Sequence, residues 1–360
     1  MVFHQENIKD KLIIENNEII SDYVLTIVYN KNMKKKVKVF IAILCVMVTI
    51  GDFFGIVNHL PLKVVGGINN YLMKDRTFIS AHRGGAYLNP ENTEKAFDYV
   101  IKETTFSDFV EIDVHATKDD VLVINHDESI NRTSLPSNET YTVNIKDTDY
   151  VDLLKYNVGK NFVSKDGSMP YYNLSIEEAK EEKLTIMKFE DFLIKYNNVR
   201  DFKLLLEIKA KDDEAIRIAK LILNMYQKEK LEWWRDQTIV ISFSNEVLTF
   251  FENNAPHMDT SPLGGDALAL PILCKFALER LVQIDKKIVQ IMAKPTYGFL
   301  SVNLATKRLI DYSHKRNQAL AFWTVNDEKQ MEDLISIGAD IITTDDPLML
   351  YKVIQNKKGV

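Results

Sequence analysis

The sequence predicts an α/β fold: a (β/α)8 TIM-type barrel with a small insertion after the second strand, preceded by one N-terminal transmembrane helix. Three observations carry this expectation. After Lys74, short β-rich runs alternate with helical stretches, the pattern of a parallel sheet built from β–α units. Seven or eight such units over about 280 residues match the size of a closed barrel, with an open doubly wound sheet as the structural rival. Ahead of them, a lysine cluster precedes a long apolar run, the order of a segment that crosses a bilayer.

The N-terminal elements come first. Residues 1–38 form a short segment expected on the cytoplasmic side, ending in Lys34, Lys35, Lys36 and Lys38. Residues 39–57, VFIAILCVMVTIGDFFGIV, form the expected transmembrane helix. Cytoplasmic lysines would place everything after it outside the cytoplasm, as a single-pass membrane protein. The apolar stretch before Asp52 is short enough that a buried core helix is the alternative. Residues 58–75 are expected to be a linker, and residues 76–355 the barrel.

Composition narrows the functional class. The 360 residues are 46% hydrophobic and 27% charged, which suits a globular protein and excludes a disordered one. Lys+Arg 45 against Asp+Glu 51 gives a net charge of -6. No cationic footprint for nucleic acid exists in such a balance, and no nucleic-acid partner is expected. Cys45 and Cys274 are the only cysteines and make neither a disulfide framework nor a metal motif.

Within the barrel, strands are expected at Thr77–Ala81, Phe109–His115, Lys203–Lys209, Thr238–Phe243, Lys287–Met292, Leu320–Val325 and Asp340–Thr343. A poorly marked strand is expected near His257–Ser261. Helical patterns occupy Thr93–Glu103, Asp213–Lys228, Glu246–Asn253, Lys307–Arg316 and Asp327–Ile337. Asn326 is placed to cap the last of these and Gly338 to end it. A TKDD turn followed by VLVIN reads as a hairpin. From Asn131 to Lys188 the chain is polar and turn-rich, an irregular insertion of the kind that forms a functional lid or a surface excursion.

Chemistry concentrates where strands should end, because a barrel builds its active site at the C-terminal ends of its strands. Side chains alternate along a strand, so Glu111, Asp113 and His115 share one face while Val110, Ile112 and Val114 share the other. Two buried carboxylates about 7 Å apart on one face repel each other and are costly to desolvate, and a divalent cation removes both penalties. In KLLLEIK, Glu207 and Lys209 emerge from an otherwise apolar strand. Three carboxylates, Glu111, Asp113 and Glu207, make an all-oxygen site suited to Ca²⁺ or Mg²⁺ rather than zinc. His82 and His126 follow predicted strands and read as a general acid–base pair. Arg83 and Lys209 suit a phosphate, the first by its fork and the second as a point charge. Trp323 could form a wall against the organic part of a substrate. Glu91 and Asn92 either orient the phosphate-binding groups or cap the following helix.

These residues fall into an ordered set: HRG, PENT, E-x-D, HD, LEIK, SFS, WTVN and TTDDP, from His82 to Pro347. The set resembles the glycerophosphodiester phosphodiesterase family over about 270 residues. The resemblance implies a (β/α)8 barrel, with His82 and His126 as the catalytic pair and Glu111, Asp113 and Glu207 as ligands of one divalent cation, Ca²⁺ or Mg²⁺. It also implies that Arg83 contacts the phosphate, with Lys209 nearby, and it gives His115 no fixed role. The expected reaction is metal-dependent hydrolysis of a glycerophosphodiester to an alcohol and glycerol 3-phosphate, with His82 as base and His126 as acid. The substrate would be a small-molecule or lipid-derived phosphodiester met close to a membrane. A phospholipase D-type enzyme acting on lysophospholipids is the nearest alternative, and a binding barrel without catalysis a more distant one. Asp119–Asp120 departs from the family's usual Asp-Gly at the hairpin turn.

Overall fold

A computed structural model describes residues 51, 53–72, 76–264, 266–293, 296–297, 300–301 and 305–358. Two compact units are present, Met1–Pro61 and Leu62–Val360. In the first, residues 53–59 are helical. The expected transmembrane helix at 39–57 otherwise lies outside the described residues, and among those described no helix is long and apolar enough to cross a membrane.

The second unit is a barrel. Its eight parallel strands are β1 (Phe78–Ala81), β2 (Phe109–Ala116), β5 (Lys203–Ile208), β6 (Thr238–Ser242), β7 (Asp259–Pro262), β8 (Ile288–Met292), β11 (Ala319–Trp323) and β12 (Ile341–Thr344). They run β7-β6-β5-β2-β1-β12-β11-β8 around the wall. β7 and β8 touch but share no hydrogen-bonded ladder among the described residues, so the barrel is nearly closed. β3 (Leu122–Ile124) turns back antiparallel on β2 and pairs with β4 (Met187–Lys188). A separate antiparallel pair joins β9 (Thr296–Tyr297) and β10 (Leu300–Ser301).

Alternation along the strands divides the apolar residues between two surfaces. On β2 and β5, Val110, Ile112, Val114, Leu204, Leu206 and Ile208 pack outward against the helices. Leu205, Ile239, Ile241, Leu263, Ile288, Ala319, Ala321 and Ile341 fill the lumen. Both faces of these strands are therefore buried, which is why their sequences are so continuously hydrophobic.

Residues 62–72, expected as linker, pack across the N-terminal end of this barrel. The Asn69 side chain donates to the carbonyls of Lys287 and Asn317 at 2.7 and 2.8 Å. Tyr71 joins the lumen core, and its hydroxyl donates to Asp259 at 2.7 Å. One end of the barrel is thus sealed, and chemistry is confined to the other.

The helices follow the sequence patterns with local exceptions. Thr93–Glu103 is a single α-turn, Glu94–Phe97, that widens into a π-helix over Asp98–Glu103. The widening turns buried Asp98 toward Lys183, Lys195 and the Tyr196 hydroxyl while Phe97, Val100 and Ile101 stay in the core. Burial opposes the charge of Asp98, yet those three donors hold its carboxyl down at about 2. Such a group stabilises the fold above the ordinary aspartate value, and that contribution is lost as pH falls toward 2. Asp98→Asn is therefore expected to lower stability by about 1–2 kcal/mol at pH 7, discounted for the half-exposed lysines. Urea unfolding should show the difference shrinking by pH 3.

Helix Glu328–Ile337 corrects a cap assignment. Its N-cap is Asp327, whose side chain accepts from Gln330 N, while Gly338 at φ 90° ends it. Asn326 is committed elsewhere, as described below. The irregular stretch from Asn131 to Lys188 has its own small core, with Ile130, Leu135, Val143, Ile145, Leu153, Val158 and Ile186 packed on Val123 of β3.

Candidate active site

The functional candidates meet at the C-terminal ends of the strands. His82, Arg83, Glu111, His126, Glu207, Lys209 and Trp323 line one cavity of about 90 Å³. Asp113 lies beside it, fully buried.

The HRGG turn begins the site. Arg83, Gly84 and Gly85 all have positive φ, at 51°, 81° and 89°, so the chain turns sharply as it leaves β1. This conformation aims the Arg83 backbone N–H at Glu111 Oε2, 2.9 Å away. A Cβ on Gly84 would lie 3.0 Å from the Cβ of Ala96, so the turn needs glycine both for its torsion and for the approach of the following helix.

His82 is held by a residue distant in sequence. Its Nδ1 lies 2.6 Å from Asp345 Oδ1, and its Nε2 lies 3.9 Å from Glu111 Oε2. Asp345 is held in turn by Asn326, whose amide donates to Asp345 Oδ2 at 2.5 Å and whose oxygen accepts from the Asp345 backbone at 2.9 Å. Burial works against the charge of Asp345, but the hydrogen bond to His82 keeps its carboxyl below the ordinary range.

His126 has a matching support. Its Nδ1 lies 2.6 Å from Asp127 Oδ1, and Arg132 Nε donates to Asp127 Oδ2 at 2.6 Å. The contact with His126, aided by Arg132, holds the Asp127 carboxyl far below its usual value. Arg132 then forks onto both oxygens of Glu91 at 2.7 and 2.8 Å. Glu91 also accepts from Arg83 Nη1 at 3.0 Å. Thr93 caps the next helix, so Glu91 and Asn92 are orienting groups, and Asn92 donates to Asp113 Oδ2 at 2.9 Å. His115 bonds the carbonyl of His126 at 3.2 Å, and burial pushes its ring below the ordinary histidine value.

Three carboxylates form the heart of the site. Parallel register places Asp113 beside Glu207 on the neighbouring strand, with Glu111 two residues earlier on β2. One oxygen from each of Glu111, Asp113 and Glu207 lies within 4.8 Å of the others. Burial, then the charges of Asp113 and Glu207, drive the Glu111 carboxyl well above the carboxylate range. Burial and Asp113 likewise raise Glu207. Asp113 moves the other way: burial opposes its charge, but Lys209 and Arg83 outweigh it. Lys209 Nζ lies 2.8 Å from Glu207 Oε1 and 3.2 Å from Asp113 Oδ1. Even so, neither oxygen accepts a well-directed hydrogen bond among the described residues. Two buried carboxylate oxygens left in this state, converging with the carboxylate of Glu111, fit a hard divalent cation.

Trp323 stands at the end of β11 and meets Phe243 edge to face, ring centroids 6.0 Å apart. The insertion reaches the same end, where Lys165 pairs with fully buried Asp346. Asp345, Asn326, Asp127 and Arg132 all lie inside or beside the quoted motifs, yet nothing in their local spacing shows which histidine each supports.

Comparison with known proteins finds relatives of the same fold. A glycerophosphodiester phosphodiesterase of Bacillus altitudinis is 26% identical over 282 residues, covering 78% of this chain and 100% of its own. Lysophospholipase D of Homo sapiens is 26% identical over 309 residues, covering 79% and 88%. Among solved structures, an Oleispira antarctica phosphodiesterase in complex with the product sn-glycerol-3-phosphate superposes with a TM-score of 0.57. It is 18% identical and covers 77% of this chain and 96% of its own. A glycerophosphodiester phosphodiesterase from Agrobacterium tumefaciens gives 0.54 at 19% identity, covering 77% and 100%. The profile of the glycerophosphoryl diester phosphodiesterase family matches residues 82–349, a span that begins on His82 and encloses every residue of the site. The chain accordingly belongs to that family and is a phosphoric diester hydrolase.

Proposed function

We propose that the chain hydrolyses glycerophosphodiesters to an alcohol and glycerol 3-phosphate, with His82 and His126 as the acid–base pair. The supporting observation is the pairing of two histidines, each with Nδ1 on a carboxylate, across one cavity that also holds the acidic trio. With Nδ1–H donating to Asp345 or Asp127, Nε2 is the nitrogen left to exchange a proton. The likeness to the Oleispira protein supports glycerol 3-phosphate as product.

Glu111, Asp113 and Glu207 would hold one divalent cation, Ca²⁺ or Mg²⁺, which would supply positive charge to the non-bridging phosphate oxygens. The Arg83 guanidinium and the Lys209 ammonium face the same oxygens and stabilise the charge that grows there. His82, beside Glu111, takes the proton of the nucleophile as its oxygen bonds to phosphorus. Water gives glycerol 3-phosphate directly, and the substrate's own glycerol hydroxyl gives a cyclic phosphate that water then opens with the two histidines in reversed roles. As the phosphorus–alkoxide bond breaks, His126 gives its proton to the departing alcohol, and the two histidines finish with exchanged protonation states. Trp323 walls the organic portion.

A panel of glycerophosphocholine, glycerophosphoethanolamine and lysophosphatidylcholine tests this. Glycerol 3-phosphate release should stop in EDTA and return with Ca²⁺ or Mg²⁺. Undiminished turnover in EDTA would remove the metal from the proposal, and no release from any diester would remove the activity. Cleavage of the lysolipid is the second reading, supported by the likeness to human lysophospholipase D. A single-pass anchor with the barrel outside the cytoplasm is also proposed, supported by the order of lysines and apolar residues at 31–57. Retention of the native protein in carbonate-washed membranes tests it.

A further inference from the structure

Of the two proposed proton carriers, His82 follows β1 directly, whereas His126 stands on the loop 126–129 beyond β3. Loops at a rim are mobile by default, yet a catalytic group works only when held within about 0.5 Å of its place. Here the loop is held by its carbonyls. His126 O accepts from His115 Nε2 at 3.2 Å. Asp127 O and Ser129 O both accept from Asn125 Nδ2, at 2.7 and 3.3 Å. Glu128 O accepts from the backbone N–H of Ile145 at 2.9 Å. Four successive carbonyls are thus bonded, three of them by two side chains.

Those two side chains belong to the hairpin that carries Glu111 and Asp113. His115 lies opposite Val123 in the β2–β3 ladder, and the Asn125 backbone N–H donates to Asp113 O at 3.0 Å. The loop of His126 is therefore registered against the strand that bears two of the three carboxylates. His115 and Asn125 are each only 6% exposed. Burying an imidazole and an amide costs desolvation that apolar side chains would avoid, and the loop carbonyls are what offsets it. A carbonyl oxygen only accepts, so Nε2 of His115 carries a proton. Neither residue lines the cavity shared by His82, Glu111 and His126, so any effect of theirs on the reaction passes through the loop.

We propose that His115 and Asn125 are a pair of positioning residues for His126, fixing its main chain so that the ring stays in reach of the departing alcohol oxygen. His82, Arg83 and Lys209 stand on other elements and keep their places without them. This role rests on His126 being the acid of a glycerophosphodiester hydrolase.

The test compares two leaving groups on the full chain. Glycerophosphocholine releases choline, a poor anion that needs a proton as it departs. The p-nitrophenyl ester of glycerol 3-phosphate releases a nitrophenolate, which departs without one. His115→Phe keeps a packed ring and removes the donor. It should lower kcat for glycerophosphocholine about 10–100-fold, the cost of misplacing a catalytic group by about 1 Å, with KM little moved and the nitrophenyl ester far less affected. His115→Gln returns an N–H close to the place of Nε2 and should restore most of the loss. Asn125→Leu keeps side-chain shape, removes both of its bonds to the loop, and should repeat the pattern if His115→Phe does not fold. His126→Ala is the reference and should show the same dependence on leaving group. Equal losses on both esters would leave the pair a role in stability alone and overturn the positioning role, as would undiminished kcat for glycerophosphocholine in the folded variants. Equal losses in His126→Ala would instead overturn its assignment as acid, and wild-type inactivity toward both esters the substrate class. Either of these takes the positioning role with it.

Discussion

Alanine at His126 or at His82 is expected to lower kcat for glycerophosphocholine by about 10²–10⁴-fold, the usual worth of a positioned proton donor or acceptor. KM should move far less, because Arg83 and Lys209 remain to hold the phosphate. The supporting carboxylates predict a graded second series. Asp345→Asn and Asp127→Asn leave an amide beside each Nδ1, so the ring is still packed but its tautomer is no longer fixed by an anion. Each should cost about 10–100-fold in kcat, less than losing the ring. The supports differ in kind. Asp345 is bonded by the neutral amide of Asn326, whereas Asp127 shares its charge with Arg132. Arg132→Gln should therefore disturb the His126 side and loosen Glu91 and Arg83 with it, while Asn326→Ala acts only through His82. Rates measured across pH for all six variants would check this, and near-wild-type turnover in either alanine variant would remove that histidine from the mechanism.

Elements with a clear hydrophobic period were readable from the sequence. FVEIDVHA announces both its strand and the face on which its carboxylates lie, because alternation is a property of adjacent residues. The strand Asp259–Pro262 has no such signature: its sequence is DTSP, and its place is set by its ladder with β6. The acidic trio was legible for the same reason as its strands, since each carboxylate interrupts an apolar run. Its compactness was not, because the step placing Asp113 beside Glu207 is a register between strands. His82 and Asp345 lie 263 positions apart, and only closure of the barrel between β1 and β12 joins them. The cap at Asp327 rather than Asn326 shows the same limit. Two adjacent residues both suit an N-cap, and tertiary structure draws one of them to Asp345.

Glu111→Gln is expected to separate stability from activity. In the metal-free protein Glu111 is buried with Asp113 and Glu207, and its carboxyl is pushed well above the carboxylate range. A carboxyl raised in the folded state contributes most below its unfolded value, and that contribution is lost as pH rises through the folded value. The metal-free wild-type protein should thus lose stability as pH rises above the ordinary glutamate value, whereas the lowering of Asp113 acts only below the ordinary aspartate value. Glutamine keeps an oxygen for the Arg83 backbone N–H and removes the charge. At pH 8 the metal-free variant should match or exceed wild type. With cation the order should reverse. Saturating Ca²⁺ or Mg²⁺ should raise the wild-type Tm, since ligand at about 100 times Kd adds about 2.7 kcal/mol, and should scarcely move the variant. Turnover by the variant should fall at least about 10²-fold, because one ligand of three is weakened. Thermal unfolding at pH 5 and pH 8, with EDTA and with each cation, gives all of these quantities. A wild-type Tm indifferent to both cations, together with full activity in Glu111→Gln, would show that the trio is an ionic network of the barrel and not a metal site.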